Sequence, residues 1–249
     1  MKKTHAPIRY TLRVLFVFFL TLTLASCGDD ESPAPSTPVV GQAPPEAVDL
    51  GLPSGTKWAS YNMYGLGDYV PWGDLAPHTA SGCTWESYRF GMPDMLTKYC
   101  YKDTHGKDGY TDESVLGRKL TELDPEDDIA RQQWGEGWRI PSKEQWEELI
   151  KYCTIKKASA DMRHQLSAYI PYRFTGPNGN YIDLPCEGYG YRSALSEDNC
   201  VYWSRTLHES LDRFAYNFRY NKKALIQFND RAYGMSIRPV KEADANDKL

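Results

Sequence analysis

The stretch GWRIPSKEQWEELI, Gly137–Ile150, limits the possible folds more than any other part of the chain. Pro141-Ser142 announces a helix start, and Ser142 with Gln145 three residues on forms a capping box. Trp146, Leu149, Ile150 and Cys153 follow at i, i+3, i+4 and i+7, one apolar stripe. Glu144, Glu147, Glu148 and Lys151 fall outside that stripe, with Glu147 and Lys151 at the favourable i,i+4 spacing. Carboxylates this dense could act as general acid and base only if they converged on a substrate. At this spacing they read as the water-facing side of an amphipathic helix. Trp138 and Arg139 are expected to lock the segment leading in.

The flanks set the fold class. Upstream, Asp124-Pro125-Glu126-Asp127 reads as a second helix start, with Asp124 at the N-cap and acids near the positive end of the dipole. Ile129, Ala130 and Trp134 follow, and Gly135 suits the stop. Such an acid cluster could also attract a cation, but capping explains it more simply. Downstream of residue 168 the texture changes to short strands and turns. Thr175–Asn180 is a turn and Tyr181–Leu184 alternates. Val201–Ser204 reads as a strand, and Phe214, Tyr216 and Phe218 alternate with smaller or polar residues. Asn221-Lys222-Lys223 turns the chain into Ala224–Phe228, and a last strand is expected over Met235–Val240. Helices first and a mostly antiparallel sheet after is an α+β pattern: two framework helices with small, loop-connected sheets.

The ends bound the part that folds. Lys2, Lys3, Arg9 and Arg13 precede an apolar run, Val14–Leu24, too short for a spanning helix of about 20 residues. Leu24-Ala25-Ser26-Cys27 then has the pattern of a bacterial lipobox, with Cys27 as the lipid attachment site. Residues 1–26 read as a lipoprotein signal peptide and 27–46 as a proline-rich, lipidated tether. Residues 47–241 read as one domain and 242–249 as a tail. The leader removes four basic residues and no acidic ones from 29 Lys+Arg and 33 Asp+Glu, so the mature chain carries a formal charge of −8. With no polybasic block, nucleic acid is not an expected partner, and contact with a bilayer is expected through the Cys27 acyl chains alone. Asp29-Asp30-Glu31 resembles the acidic export signal of surface lipoproteins in Bacteroidetes-type bacteria. The expected location is the outer membrane, facing outward.

Five further cysteines, an odd number, leave at least one thiol unpaired within the chain. Cys186 and Cys200 flank a polar excursion and are the leading candidate pair; Cys83 with Cys100 is a weaker one, and Cys153 reads as a buried thiol. No Cys/His grouping has metal-ligand spacing, and His78, His105, His164 and His208 sit in no recognisable motif. Eighteen tyrosines and seven tryptophans could line a sugar-binding surface, or fill the irregular core of a loop-rich fold, the commoner use.

Six stretches together resemble one family: VDLGLPSGTKWAS (Val48–Ser60), GDYVPWGD (Gly67–Asp74), GWRIPSKEQWEELI, GPNGNYIDLP (Gly176–Pro185), YWSRT (Tyr202–Thr206) and YGMSIRPV (Tyr233–Val240). In this order they resemble the Fibrobacter-type major paralogous domain family of secreted and lipoprotein surface proteins. The resemblance implies a C-type-lectin-like fold, in the form shared with formylglycine-generating enzymes, where a WR-[IL]-P-[ST] segment similarly starts a framework helix. It does not imply that oxidase activity: nothing around Cys186 and Cys200 reproduces the reactive-cysteine pattern, so no enzyme is expected. Calcium-binding members of the fold carry Trp-Asn-Asp on the penultimate strand. Phe228-Asn229-Asp230 is similar in type and place, which makes Asn229 and Asp230 the candidate calcium ligands; no other cofactor is expected.

The fold presents loops at one end of its sheet. The function expected is a surface-displayed module that binds a glycan or protein ligand through Glu187–Asn199, Arg205–Arg213 and Asn229–Tyr233, with Tyr189, Tyr191, Arg205 and Tyr233 in contact. The alternative is an accessory subunit of a surface appendage or outer-membrane lipoprotein complex.

Overall fold

The computed structural model describes residues 44–158, 171–195 and 199–242, all within one compact unit. The leader, Cys27, most of the tether, His164 and the tail beyond Glu242 lie outside the described residues. The chain opens with a hairpin, β1 (Ala47–Asp49) and β2 (Lys57–Ala59), and a short strand, β3 (Val70–Pro71). Loops lead to α1 (Asp112–Leu116), α2 (Ile129–Trp134), β4 (Trp138–Arg139) and α3 (Lys143–Tyr152). A meander follows, β5 (Thr154–Lys157), β6 (Tyr172–Thr175) and β7 (Tyr181–Leu184), then a small hairpin, β8 (Tyr189–Gly190) and β9 (Ala194–Leu195). The longest strands come late: β10 (Cys200–Leu207), β11 (Phe214–Asn221) and β12 (Lys223–Asp230). Two short strands, β13 (Gly234–Met235) and β14 (Val240–Lys241), close the domain. Among the described residues this is an α+β architecture with three helices and four small antiparallel sheets, ordered β1-β2-β14-β4, β10-β11-β12, β3-β13-β8-β9 and β5-β6-β7.

Helix α3 forms as its sequence predicts. Ser142 Oγ accepts from Gln145 N, and Gln145 Oε1 accepts from Ser142 N. Trp146 and Leu149 are fully buried, and Cys153 is a buried free thiol just past the last turn. The charged side differs from expectation. Glu147 pairs with Lys143 at 3.4 Å rather than with Lys151. Glu148 does not simply face water: its carboxylate accepts from Ser54 N (2.9 Å) and Ser54 Oγ (2.5 Å), tying the β1–β2 loop to the helix.

Strand β10 divides the interior into two cores because both its faces are buried. Val201, Trp203 and Leu207 enter one core with Trp72, Tyr88, Phe90 and Tyr99. Cys200 and Tyr202 enter the other with Trp58, Trp146, Phe174 and Phe218. The buried indoles around it are satisfied internally: Trp203 Nε1 of β10 donates to Val70 O, and Trp72 Nε1 donates to Ser204 O of β10.

Two expectations need correction. The helix expected to start at Asp124 begins later. Pro125–Asp127 is a single 3₁₀ turn with no side-chain cap from Asp124, and Asp128 is the true N-cap, accepting from Ala130 N and Arg131 N. The expected last strand, Met235–Val240, is split. Its start pairs with β3 and β8 and its end with β2 and β4, so the intervening residues cross between two sheets. Ser236 bridges Tyr202 on the way.

Candidate functional site

Hairpin β8–β9 and the turn before β13 bring three of the four predicted contact residues together. Tyr233 follows a turn in which its N–H donates to Asp230 O at 3.0 Å. Its ring lies between those of Tyr191 (centroids 4.5 Å, interplanar 29°) and Tyr189 (5.5 Å, 10°). All three rings are half-buried and rest on the Trp72 core. Two glycines permit this approach. Gly190 and Gly234 face each other across β8 and β13. A Cβ at Gly190 would lie 2.7 Å from Ala80 Cα, and one at Gly234 would lie 2.3 Å from Cys83 Sγ. Neither sheet position has room for any other side chain.

Two ion pairs lie near the stack. Arg192, at a φ of +59°, bonds Glu86 at 2.6 Å, and its backbone N–H donates to Cys83 O. Arg213 bonds Asp230 at 3.1 Å and lies 5.8 Å above the Trp85 ring. Burial, then the Asp230 charge, pushes the Tyr233 phenol up, so it stays protonated and can donate. The arrangement is a neutral aromatic ladder beside charged, hydrogen-bonding pairs.

Arg205 does not belong to this group. The residue is 8% exposed and its side chain fully engaged: Nε with Glu122 (2.7 Å), Nη1 with Ile140 O and Gln145 Oε1 (3.1 Å each), Nη2 with Glu242 (3.0 Å). It braces the cap of α3 against β10. The reason is the length of β10, which runs through Arg205 to Leu207 instead of ending at Ser204.

The expected calcium ligands, Asn229 and Asp230 at the end of β12, are engaged by side chains of the same chain. Asn229 Oδ1 accepts from Asn217 Nδ2, and Asp230 is held by Arg213. Among the described residues, the acidic groups that do converge are Asp124, Glu126 and Asp127. A cation already sits there: Lys98 Nζ lies 2.9, 3.0 and 2.6 Å from them. Burial opposes the Lys98 charge, but these carboxylates outweigh it and hold its pKa above the ordinary range.

The structure joins Cys186 to Cys200 in a buried disulfide that ties the β7–β8 connection to the start of β10. Cys83 and Cys100 remain separate buried thiols. His208 is structural: Nδ1 accepts from Ser210 N and Leu211 N, and the ring stacks on Tyr216.

The first residue of the expected ligand loop is buried instead of exposed. Glu187, beside the disulfide, is 7% exposed. Burial pushes its carboxyl up to about 7; Arg238 counteracts this and Asp68 adds to it. Arg238 is itself fully buried and spends its donors on Asn62 Oδ1, Ala59 O and Asp183 O. Because the folded pKa lies above the unfolded value, Glu187 favours folding while protonated. It becomes unfavourable as pH rises from about 4.5 to beyond 7. Glu187→Gln is therefore expected to match the parent at pH 4 and to exceed it at pH 8 by up to about 3 kcal/mol in urea melts. Equal stabilities at pH 8 would sink this account.

Comparison of the chain with protein-family models, with curated proteins and with solved structures finds no match.

Proposed function

We propose that this protein is a surface-displayed lipoprotein module that binds a glycan on the Tyr189–Tyr233–Tyr191 ladder. The single observation behind this reading is the ladder itself: three half-buried rings, stacked in one row beside two ion pairs. Aromatic faces stack on the apolar faces of sugar rings, and adjacent charged groups bond their hydroxyls. The domain is read as a C-type-lectin-like fold of the major paralogous domain type, on the strength of the six motifs and a WR-I-P-S segment that opens the main helix. The display rests on the lipobox at Cys27 and the Asp29-Asp30-Glu31 signal. No helix among the described residues is long and apolar enough to cross a membrane. The bond between Cys186 and Cys200 supports a non-enzymatic reading.

A glycan array probed with the purified protein tests the reading. Tyr191→Ala and Tyr233→Ala are expected to weaken the best ligand at least tenfold, about 1.4 kcal/mol, with little change in melting temperature. Arg205→Ala is expected to do the reverse. Chelation of calcium should leave binding intact. Binding that survives the double tyrosine variant would place the site elsewhere.

A further inference from the structure

We infer that β12 is a homodimerisation edge, along which two copies of this chain pair antiparallel about a two-fold axis at Ile226. The edge itself is the first argument. In the sheet β10-β11-β12, β12 is outermost and pairs with no further strand among the described residues. The opposite side of β10 is covered by bridges to Glu122 and Ser236. Isolated edges in natural sheets are protected by bulges, prolines, inward charges or shortness. β12 has no bulge or proline, and its charges, Lys223 and Asp230, stand only at its two ends. It runs eight residues in unbroken register with β11, and no charge lies between Ala224 and Asn229. Leu225 and Phe228 are 39% and 46% exposed on it.

The second argument identifies the occupant, because the strand complements itself. A two-fold axis perpendicular to the sheet keeps each face on its own side, so it must centre on a residue whose neighbours pair with equal offsets. Centred on Ile226, it sets Ile226 against itself and Ala224 against Phe228, a small side chain opposite a large ring. It sets Leu225 against Gln227, and brings Lys222 at the hairpin tip beside Asp230 at the other end. Arg213 occupies one oxygen of Asp230, and a carboxylate accepts several bonds. A parallel copy would stack like charges instead. Centring on Gln227 would require Arg231 as a partner for Lys223, but Arg231 is fully buried. Pairing at Ile226 joins two three-stranded sheets into one of six strands.

The full chain in detergent micelles provides the test. Light scattering is expected to give the mass of two polypeptides per particle. Ile226→Cys should cross-link into a disulfide dimer under mild oxidation, since facing Cα atoms across antiparallel strands lie about 4.5–5.5 Å apart, within disulfide reach. Lys223→Cys should not, because the two positions would sit about 20 Å apart. Phe228→Lys is expected to weaken the dimer at least tenfold. Because its ring also packs on His208, Phe214 and Tyr216 of its own chain, Leu225→Lys, at an exposed side chain of the same edge, is expected to weaken the dimer likewise with the melting temperature near that of the parent. A monomeric parent would overturn the proposal. So would a dimer in which Ile226→Cys fails to cross-link, Lys223→Cys cross-links equally well, or Phe228→Lys changes nothing.

Discussion

Trp146→Ala is expected to cost about 3–5 kcal/mol in chemical or thermal unfolding. The indole is fully buried where α3 meets the second core. It stacks on Phe218 at 4.6 Å and 10°, tilts against Trp58 at 4.7 Å and meets Tyr202 at 5.7 Å. Its Nε1 donates to Trp203 O at 3.2 Å. Truncation thus opens a cavity lined by large rings, which cannot collapse, and orphans a buried carbonyl of β10. Against a total stability of about 5–15 kcal/mol, this is a large fraction of what holds the domain folded. Trp146→Phe keeps a ring against Phe218 and loses the hydrogen bond, so a smaller cost is expected from it. A loss below about 1 kcal/mol for the alanine variant would mean that α3 is not seated by this side chain.

Trp146 could be placed from sequence because everything that positions it is local. The Ser142–Gln145 box and the i, i+3, i+4 stripe lie within a dozen residues, and the alternation of Phe214, Tyr216 and Phe218 is equally local. Tyr189, Tyr191 and Tyr233 could be grouped because two of them share a hairpin and the third precedes a closing strand. What failed was settled by distant partners. Arg205 looked free because Glu122, Gln145 and Glu242, which neutralise or bond it, are up to eighty-three residues away in sequence. Asn229 and Asp230 looked free to act as ligands, yet Asn217 and Arg213, which bond them, lie across the hairpin on the neighbouring strand and its approach. Glu187 was read as the start of a ligand loop, and nothing local marked it as buried. The two charges its carboxyl feels, Arg238 and Asp68, are both far from it in the chain. Lys222 and Asp230 gain meaning together only once β12 is known to be an outer strand.

The two aspartates of the α2 entry test the same distinction. Asp128→Ala is expected to cost about 3–5 kcal/mol, the effect of breaking a buried charge pair. The Asp128 side chain is fully buried, and burial raises its pKa against the pull of Arg139 and the Ile140 N–H. Oδ1 accepts from Ala130 N (3.0 Å) and Arg131 N (3.3 Å), which caps α2. Oδ2 accepts from Arg139 Nε (3.1 Å) and Ile140 N (3.0 Å), which fixes the strand entering α3. One carboxylate therefore joins the start of one helix to the approach of the next, and losing it leaves a half-paired guanidinium and three unsatisfied N–H groups. Asp128→Asn keeps one acceptor oxygen and should recover part of the loss. Asp124→Ala removes only bonds to Lys98 and Arg118 at the protein's edge and should cost about 1 kcal/mol. Equal losses at the two positions in urea melts would refute Asp128 as the cap. The expected ratio would show why a sequence with Pro directly after Asp124 can still start its helix four residues later: the cap is chosen by the partner it must also hold across the fold.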